Sequence, residues 1–266
     1  MNGRFVLLVG LVLAALLGVW SYSRLMHYEP GETVSIDFAA RPNEARTELG
    51  LLVGDGDFYL QRCCARSVSH RGETAVFNVR ANDPPVKGNL RAEARLLSNR
   101  MGRPAVYRLD LTTPASWRSS PETAIVAQWH GTNDFFVLEP GRYPPLELAI
   151  EGDRWVIVKA WDARMRSANA GGGNTQGRKA IGSAPFAPGA DTRWRIEARW
   201  SAGSDGYVRA FKDGRLVADD RGPNAFRDLI GPYMKFGVYV PEWKKHPDLK
   251  VAEREVSFRS ASMAQL

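Results

Sequence analysis

Cysteine is almost missing from this chain of 266 residues, and the two that occur, Cys63 and Cys64, are sequence neighbours. That excludes a four-cysteine zinc site and a disulfide framework. A bond between adjacent cysteines closes a strained ring, so a reduced pair is expected. Histidine is scarce as well. His27, His70 and His246 have no H-x-H or H-x-x-x-H spacing, so they read as surface or loop residues and no metal cluster is supported. No G-x-G-x-x-G unit joins a strand to a helix and no G-x-x-x-x-G-K-[ST] loop occurs, which leaves nucleotide chemistry unsupported. Amphipathic helices and internal repeats are lacking too. Glycine and proline are plentiful, at 25 and 16 residues, but dispersed, so collagen-like and low-complexity classes fall away.

What is present describes a globular chain: 44% hydrophobic and 24% charged residues, enough apolar matter for a core. Lysine and arginine outnumber acidic residues by 36 to 29, a net charge of +7, which points to a polyanionic partner of some kind. Arg4 is followed by an uncharged, proline-free run, Phe5 to Trp20, with the shape of an export signal. The run is short of the roughly 20 residues of a spanning helix. Val19, Trp20 and Tyr22 crowd the place for a cleavage site, so an uncleaved signal anchor is favoured over a cleaved signal peptide. Residues 1–27 are assigned to this segment. Residues 28–266 form one exported domain, periplasmic or extracellular, with inner-membrane anchoring where the segment is retained. Without Arg4 and Arg24, the two charged residues of that segment, 34 basic against 29 acidic residues leave +5, so the basic character belongs to the exported part.

From about Tyr28 onward, apolar and polar residues alternate in short runs between turn signals such as Gly54-Asp55-Gly56, Asp83-Pro84-Pro85, Glu139-Pro140-Gly141 and Asp213-Gly214. Such punctuation predicts an all-β, two-sheet antiparallel sandwich or jelly roll. Tyr207 to Val217 reads as a hairpin turning at Asp213-Gly214. Ser167 to Gly189, containing Gly171-Gly172-Gly173-Asn174, reads as one long loop, either a lid or disorder.

Three strands carry chemistry on one face. In Arg91-Ala92-Glu93-Ala94-Arg95-Leu96, the period of two puts Arg91, Glu93 and Arg95 on one side and small apolar residues on the other. In Ala127-Gln128-Trp129-His130-Gly131, Gln128 and His130 share a face opposite Trp129. In Tyr233 to Val240, the residues Tyr233, Lys235, Gly237 and Tyr239 face one way, and Met234, Phe236, Val238 and Val240 the other. Gly237 between the two polar groups leaves room for a ligand to approach. On one sheet, these faces together make a groove of Arg, Gln, His, Lys and Tyr suited to a sugar acid. The competing reading is the solvated face of an antiparallel sheet.

The segments Arg91-Ala-Glu-Ala-Arg95, Gln128-Trp-His130 and Tyr233-Met-Lys-Phe-Gly-Val-Tyr239, in this order, resemble the signature strands of jelly-roll polysaccharide lyases: the alginate lyases and the related heparin and glucuronan lyases. The resemblance spans about residues 30 to 260. Trp129 and Pro241 are closer to the heparin and glucuronan side; Ala92 and Ala94 depart from the first motif and leave the choice between Arg91 and Arg95 open. The resemblance implies cleavage of an acidic, uronate-containing polysaccharide (glucuronan, heparin-like or alginate-like) by β-elimination. It implies Tyr239 as acid and His130 as candidate base, with Gln128, Lys235 and one arginine as further site residues and Tyr233 and Glu93 at the substrate. Removing the weakly acidic C5 proton beside a carboxylate requires that the carboxylate be neutralised and the developing enolate held. A tyrosine titrates near 10, and Lys235 and the arginine are expected to lower that value.

A non-catalytic carbohydrate-binding module on the same fold is the alternative, since fold does not fix function. Glu147 and Glu151 share a strand face and suggest paired glycosidase carboxylates, but the E-x-D-x-E pattern is absent. Arg193, Arg195, Glu197 and Arg199, opposite Trp194, Ile196, Ala198 and Trp200, read as a solvated convex strand. Trp155 and Trp161 are core or sugar-stacking residues. No motif supports a cofactor; calcium is left open. A monomer is expected, contacting a membrane through its N-terminal segment only, with no nucleic-acid partner.

Overall fold

The computed structural model describes residues 17–18, 33–37, 60–134, 138–139, 141–166, 175–241 and 252–266. Apart from Leu17 and Gly18, the N-terminal apolar run lies outside them, as do His27 and His246. No helix among the described residues is long and apolar enough to cross a membrane.

The elements of the described chain are strands, joined by turns and loops, with one 3-10 turn at Ala65–Ser67. One sheet has eight strands: β13 (Arg215–Arg221), β12 (Tyr207–Lys212), β11 (Thr192–Arg199), β6 (Pro104–Thr112), β15 (Glu253–Gln265), β4 (Thr74–Arg80) and β3 (Val68–Arg71) side by side, with β1 (Thr33–Asp37) also on β15. The other has seven: β10 (Gly177–Pro185), β9 (Arg154–Trp161), β8 (Leu146–Glu151), β7 (Ala124–His130), β14 (Tyr233–Val240), β5 (Leu90–Ser98) and β2 (Leu60–Gln61). All strand pairings are antiparallel, and the sheets stack as a jelly-roll sandwich.

Alternation decides what the sandwich encloses. Phe236 of β14 meets Phe77 of β4 and Phe258 of β15 edge-to-face, with centroids 5.6 and 5.1 Å away, a favoured aromatic geometry. Trp129 of β7 packs against Tyr107 of β6 at 5.1 Å, and Trp155 of β9 against Trp194 of β11 at 5.6 Å. Ala92, Ala94, Leu96, Met234 and Val238 complete the same layer. Small side chains on β5 let β14 and β4 approach, and everything polar on β5, β7 and β14 is thereby forced to the opposite face. The hairpin turns at Asp213-Gly214 as expected.

Three expectations change. The stretch from Ser167 is not a loop throughout to Gly189: Gly177–Pro185 is the edge strand β10, paired with β9 through a bulge between Ala180 and Gly182. Being an edge, it is covered on one side only and so lacks an alternating signal. Residues 167–174 lie outside the described part. Cys63 and Cys64 form a disulfide, not a reduced pair, just before the short turn at Ala65–Ser67. Gly237 answers to its neighbouring strand, not to a ligand. Its φ is +141°, and a Cβ there would stand 2.2 Å from the Ala92 carbonyl oxygen and 3.0 Å from the Phe77 ring. Only glycine takes that backbone without strain.

Candidate active site

The polar faces of β5, β7 and β14 meet because these strands are adjacent. Lys235 of β14 sits between Arg95 of β5 and Gln128 of β7, Tyr233 is opposite His130, Gly237 is opposite Glu93 and Tyr239 is opposite Arg91. All eight residues expected at the site therefore lie on one patch of the seven-stranded sheet. Both arginines lie on this polar face. Arg91 stacks its guanidinium over the Tyr239 ring at 4.2 Å, and Arg95 over the Tyr233 ring at 3.7 Å. The two tyrosines at the ends of β14 are each held against a cation. His130 in turn stacks on Tyr233, with ring centroids 5.5 Å apart.

Glu93 is the hub. Its carboxylate accepts a hydrogen bond from Gln128 Nε2, one from Arg91 at 3.4 Å, and pairs with Lys235 Nζ at 3.6 Å. Gln61, from the two-residue strand β2, accepts from Lys235 Nζ at 2.9 Å and from Arg91 at 3.2 Å. A buried carboxylate so surrounded is compensated, and it fixes Gln128, Arg91 and Lys235 in position. No sequence pattern marks Gln61, which acts from a strand of two residues. A second residue was undervalued. Glu147 of β8 is buried directly across from Gln128 and is held by Arg178 of β10 at 2.8 Å; Glu151, its supposed glycosidase partner, is exposed at the strand end and takes a bond from Thr123. Trp155 is a core residue, while Trp161 is half-buried beside Lys159 at 5.0 Å. His70 belongs to β3 at the far edge of the other sheet.

Burial sets the proton affinities. It pushes the His130 imidazole down to about 4, helped by the charge of Lys235, so the ring is neutral at pH 7. Its Nδ1 lies 2.9 Å from the Gly131 carbonyl oxygen. A carbonyl only accepts, so Nδ1 carries the proton and Nε2 keeps a free lone pair. Burial also pulls Lys235 below its ordinary value, although Glu93 opposes this. Tyr239 corrects the expectation of a lowered phenol: burial raises it, and Glu93 and Glu147 reinforce the rise against Arg91. Lys235 exerts no resolved influence on it. The phenol is accordingly a proton donor in the resting site. Arg91 and Glu93 act on His130, Tyr233 and Tyr239 alike, so the groups belong to one electrostatic site.

The patch therefore combines a neutral imidazole with a free lone pair, a protonated phenol and a bank of fixed cations and amide donors. Over residues 63–256 the chain matches the polysaccharide lyase family. It belongs to that family. Among solved structures, this polysaccharide lyase is similar to an endo-β-1,4-glucuronan lyase from the fungus Trichoderma reesei, with a TM-score of 0.61 and 17% identity over 80% of this chain and 92% of that one. It is similar to an alginate lyase of polysaccharide lyase family 7, with a TM-score of 0.54 and 13% identity over 77% and 85% of the two chains. It is also similar to an alginate lyase from Pseudomonas aeruginosa, with a TM-score of 0.54 and 14% identity over 78% and 97%. At such identities the likeness speaks for the fold. No curated protein sequence matches the chain.

Proposed function

We propose that this lyase cleaves a uronate-containing polysaccharide by β-elimination in the groove of the seven-stranded sheet, and that glucuronan or a similar polyuronate is the substrate. One observation carries the reading: a neutral His130 with its lone pair on Nε2, at the Tyr233 end of β14, and a protonated Tyr239, at the Arg91 end, lie on the same polar face of the sheet with Arg91, Arg95, Lys235 and Gln128 along it. A base and an acid beside donors for a carboxylate are what the elimination needs.

In this reading Gln128 and an arginine hold the C5 carboxylate, offsetting its charge so that C5–H becomes acidic. His130 Nε2 takes the C5 proton and becomes imidazolium. The electron pair left on C5 forms the C4=C5 double bond as the C4–O4 bond breaks, and Tyr239 gives its phenolic proton to the departing O4. The imidazolium and the phenolate then exchange protons with water to reset the site. Lys235 and Glu93 hold the donors in register, and Tyr233 keeps the imidazole ring in plane. The apolar run Phe5 to Trp20 supports export of the enzyme, and the net charge of +7 suits a polyanionic substrate.

The test is a panel of glucuronan, alginate, heparin and heparan sulfate, with a neutral glucan as control, read by ultraviolet absorbance of the unsaturated product. The reading expects absorbance to grow on at least one polyuronate and on no neutral glucan. Silence on every uronate would overturn it.

A further inference from the structure

We propose that the outer face of the eight-stranded sheet is a second, non-catalytic binding surface for acidic polysaccharide. That the polymer is a polyuronate rests on the reading above; that the ligand is a polyanion does not.

The face is built by the same alternation that fills the core. Leu109, Trp194, Ile196 and Ala210 point inward, so Arg108, Arg193, Arg195 and Arg209 point out. Arg108 of β6 and Arg195 of β11 stand directly opposite each other, and like charges so placed repel. Arg108 is exposed and forms no ion pair among the described residues. The carboxylates nearby are shared out: Asp110 lies 3.7 Å from Arg193 and 3.0 Å from Arg259, and Glu197 serves both Arg195 and Arg209. Arg209 also meets Asp219 at 3.6 Å and Arg259 meets Asp191 at 3.2 Å, which leaves Arg108 as the guanidinium in excess among these described residues.

Phe211 supplies the second feature. It is opposite Arg195 on β12, outside the main core, yet only 9% exposed. Its cover is cationic: Arg195 lies 3.8 Å and Arg209 5.3 Å from its ring centre. Beside it a shallow depression of about 260 Å³ is lined by Arg108, Arg193, Arg195, Phe211 and Ser260 together with one carboxylate, Asp110. A polyuronate offers a carboxylate on each sugar, which guanidinium groups held in place over an aromatic ring can take.

This face looks away from the catalytic groove, across two sheets packed about 10 Å apart. A short oligosaccharide cannot occupy both faces, whereas a long chain can pass round the sandwich edge. The second contact then acts at the effective concentration set by the first, so long polymer is held and short product is released.

The experiment compares wild type, Arg108→Ser, Arg108→Ser/Arg195→Ser, and a charge-matched control, Arg71→Ser/Arg80→Ser, at the other edge of the same sheet. Binding is measured with each of these chains also carrying Tyr239→Phe, so that the polymer is not cleaved, by affinity electrophoresis in long polyglucuronate and by titration with tetraglucuronate. The double variant should weaken polymer binding at least threefold and leave tetramer binding within twofold, with Arg108→Ser intermediate and the control like wild type. Equal weakening by the control, an unchanged polymer affinity, or a loss confined to phosphatidylglycerol vesicles would overturn the proposal. Failure of wild type to cleave any polyuronate would instead overturn the elimination reading, while the binding comparison would still decide this one.

Discussion

Replacing Tyr239 by phenylalanine removes one hydroxyl and little else. The ring stays under the Arg91 guanidinium, 4.2 Å away, and Tyr239 is only half-buried, so folding stability should move by less than about 0.5 kcal/mol. The phenol is held protonated by burial and by the charges of Glu93 and Glu147, so at neutral pH its part in the reaction is to donate. Without that donor the O4 leaving group departs as an alkoxide, and the loss of a positioned acid costs about 10²- to 10⁴-fold. That corresponds to about 2.7 to 5.4 kcal/mol at 1.36 kcal/mol per tenfold. The assay is the initial rate of ultraviolet absorbance on polyglucuronate, with calorimetric binding of tetraglucuronate alongside. The rate should collapse while affinity stays within a few-fold. A variant with near-normal turnover would refute the assignment of the acid, and one that lost binding in proportion would show that Tyr239 serves the substrate's ground state.

Gln128→Ala and His130→Ala should each lower kcat and leave the fold intact, Gln128→Ala at a cost of about 1 to 3 kcal/mol because the buried Glu93 carboxylate loses a donor. Trp129→Ala, which empties a fully buried site between Tyr107 and Trp200, should cost about 3 to 5 kcal/mol of stability, read by urea denaturation. Because the His130 imidazole sits near 4, the acid limb of kcat/KM should fall near pH 4 and not near the ordinary 6.5; a limb at 6.5 that survives His130→Ala would remove the histidine as base. Asp228, packed against Gly131 and pushed up to about 7 by burial, binds its proton more tightly folded than unfolded. Its contribution to stability is full below about pH 4 and lost as pH rises through 7, so Asp228→Asn should flatten the stability profile of wild type over that window. Sodium chloride should raise KM for polyuronate while kcat stays nearly flat, since screening shortens the reach of the basic field to about 8 Å at physiological ionic strength and leaves contact groups untouched.

The parts of the site that the sequence made legible are those where one strand carries both a packing face and a chemical face. Arg91, Glu93 and Arg95 could be separated from Ala92, Ala94 and Leu96 because the sandwich fills one side of β5 with small apolar residues. The same held for Gln128 and His130 around Trp129, and for β14. What stayed hidden depends on neighbours distant in sequence. Gln61 reaches Lys235 across 174 positions, and Glu147 belongs to the groove only because β8 lies beside β7. Gly237 was placed in the right strand for the wrong reason, since its need arises from the Ala92 carbonyl of the next strand. The direction of the Tyr239 shift was likewise out of reach: counting cations along a strand cannot weigh them against burial and the carboxylates of β5 and β8. β10 escaped notice because an edge strand has one neighbour and its exposed polar residues need not alternate.

The measurement that bears most directly on the central claim is the chemistry of the new ends formed when wild type cleaves polyglucuronate. Reducing ends and C4=C5 unsaturated ends should be counted together, by a reducing-sugar assay and by proton NMR of the same sample. Elimination in this groove predicts one unsaturated non-reducing end for every new reducing end, and none of either from Tyr239→Phe within the same time. Reducing ends without unsaturation would mean hydrolysis, and would contradict the account at its root.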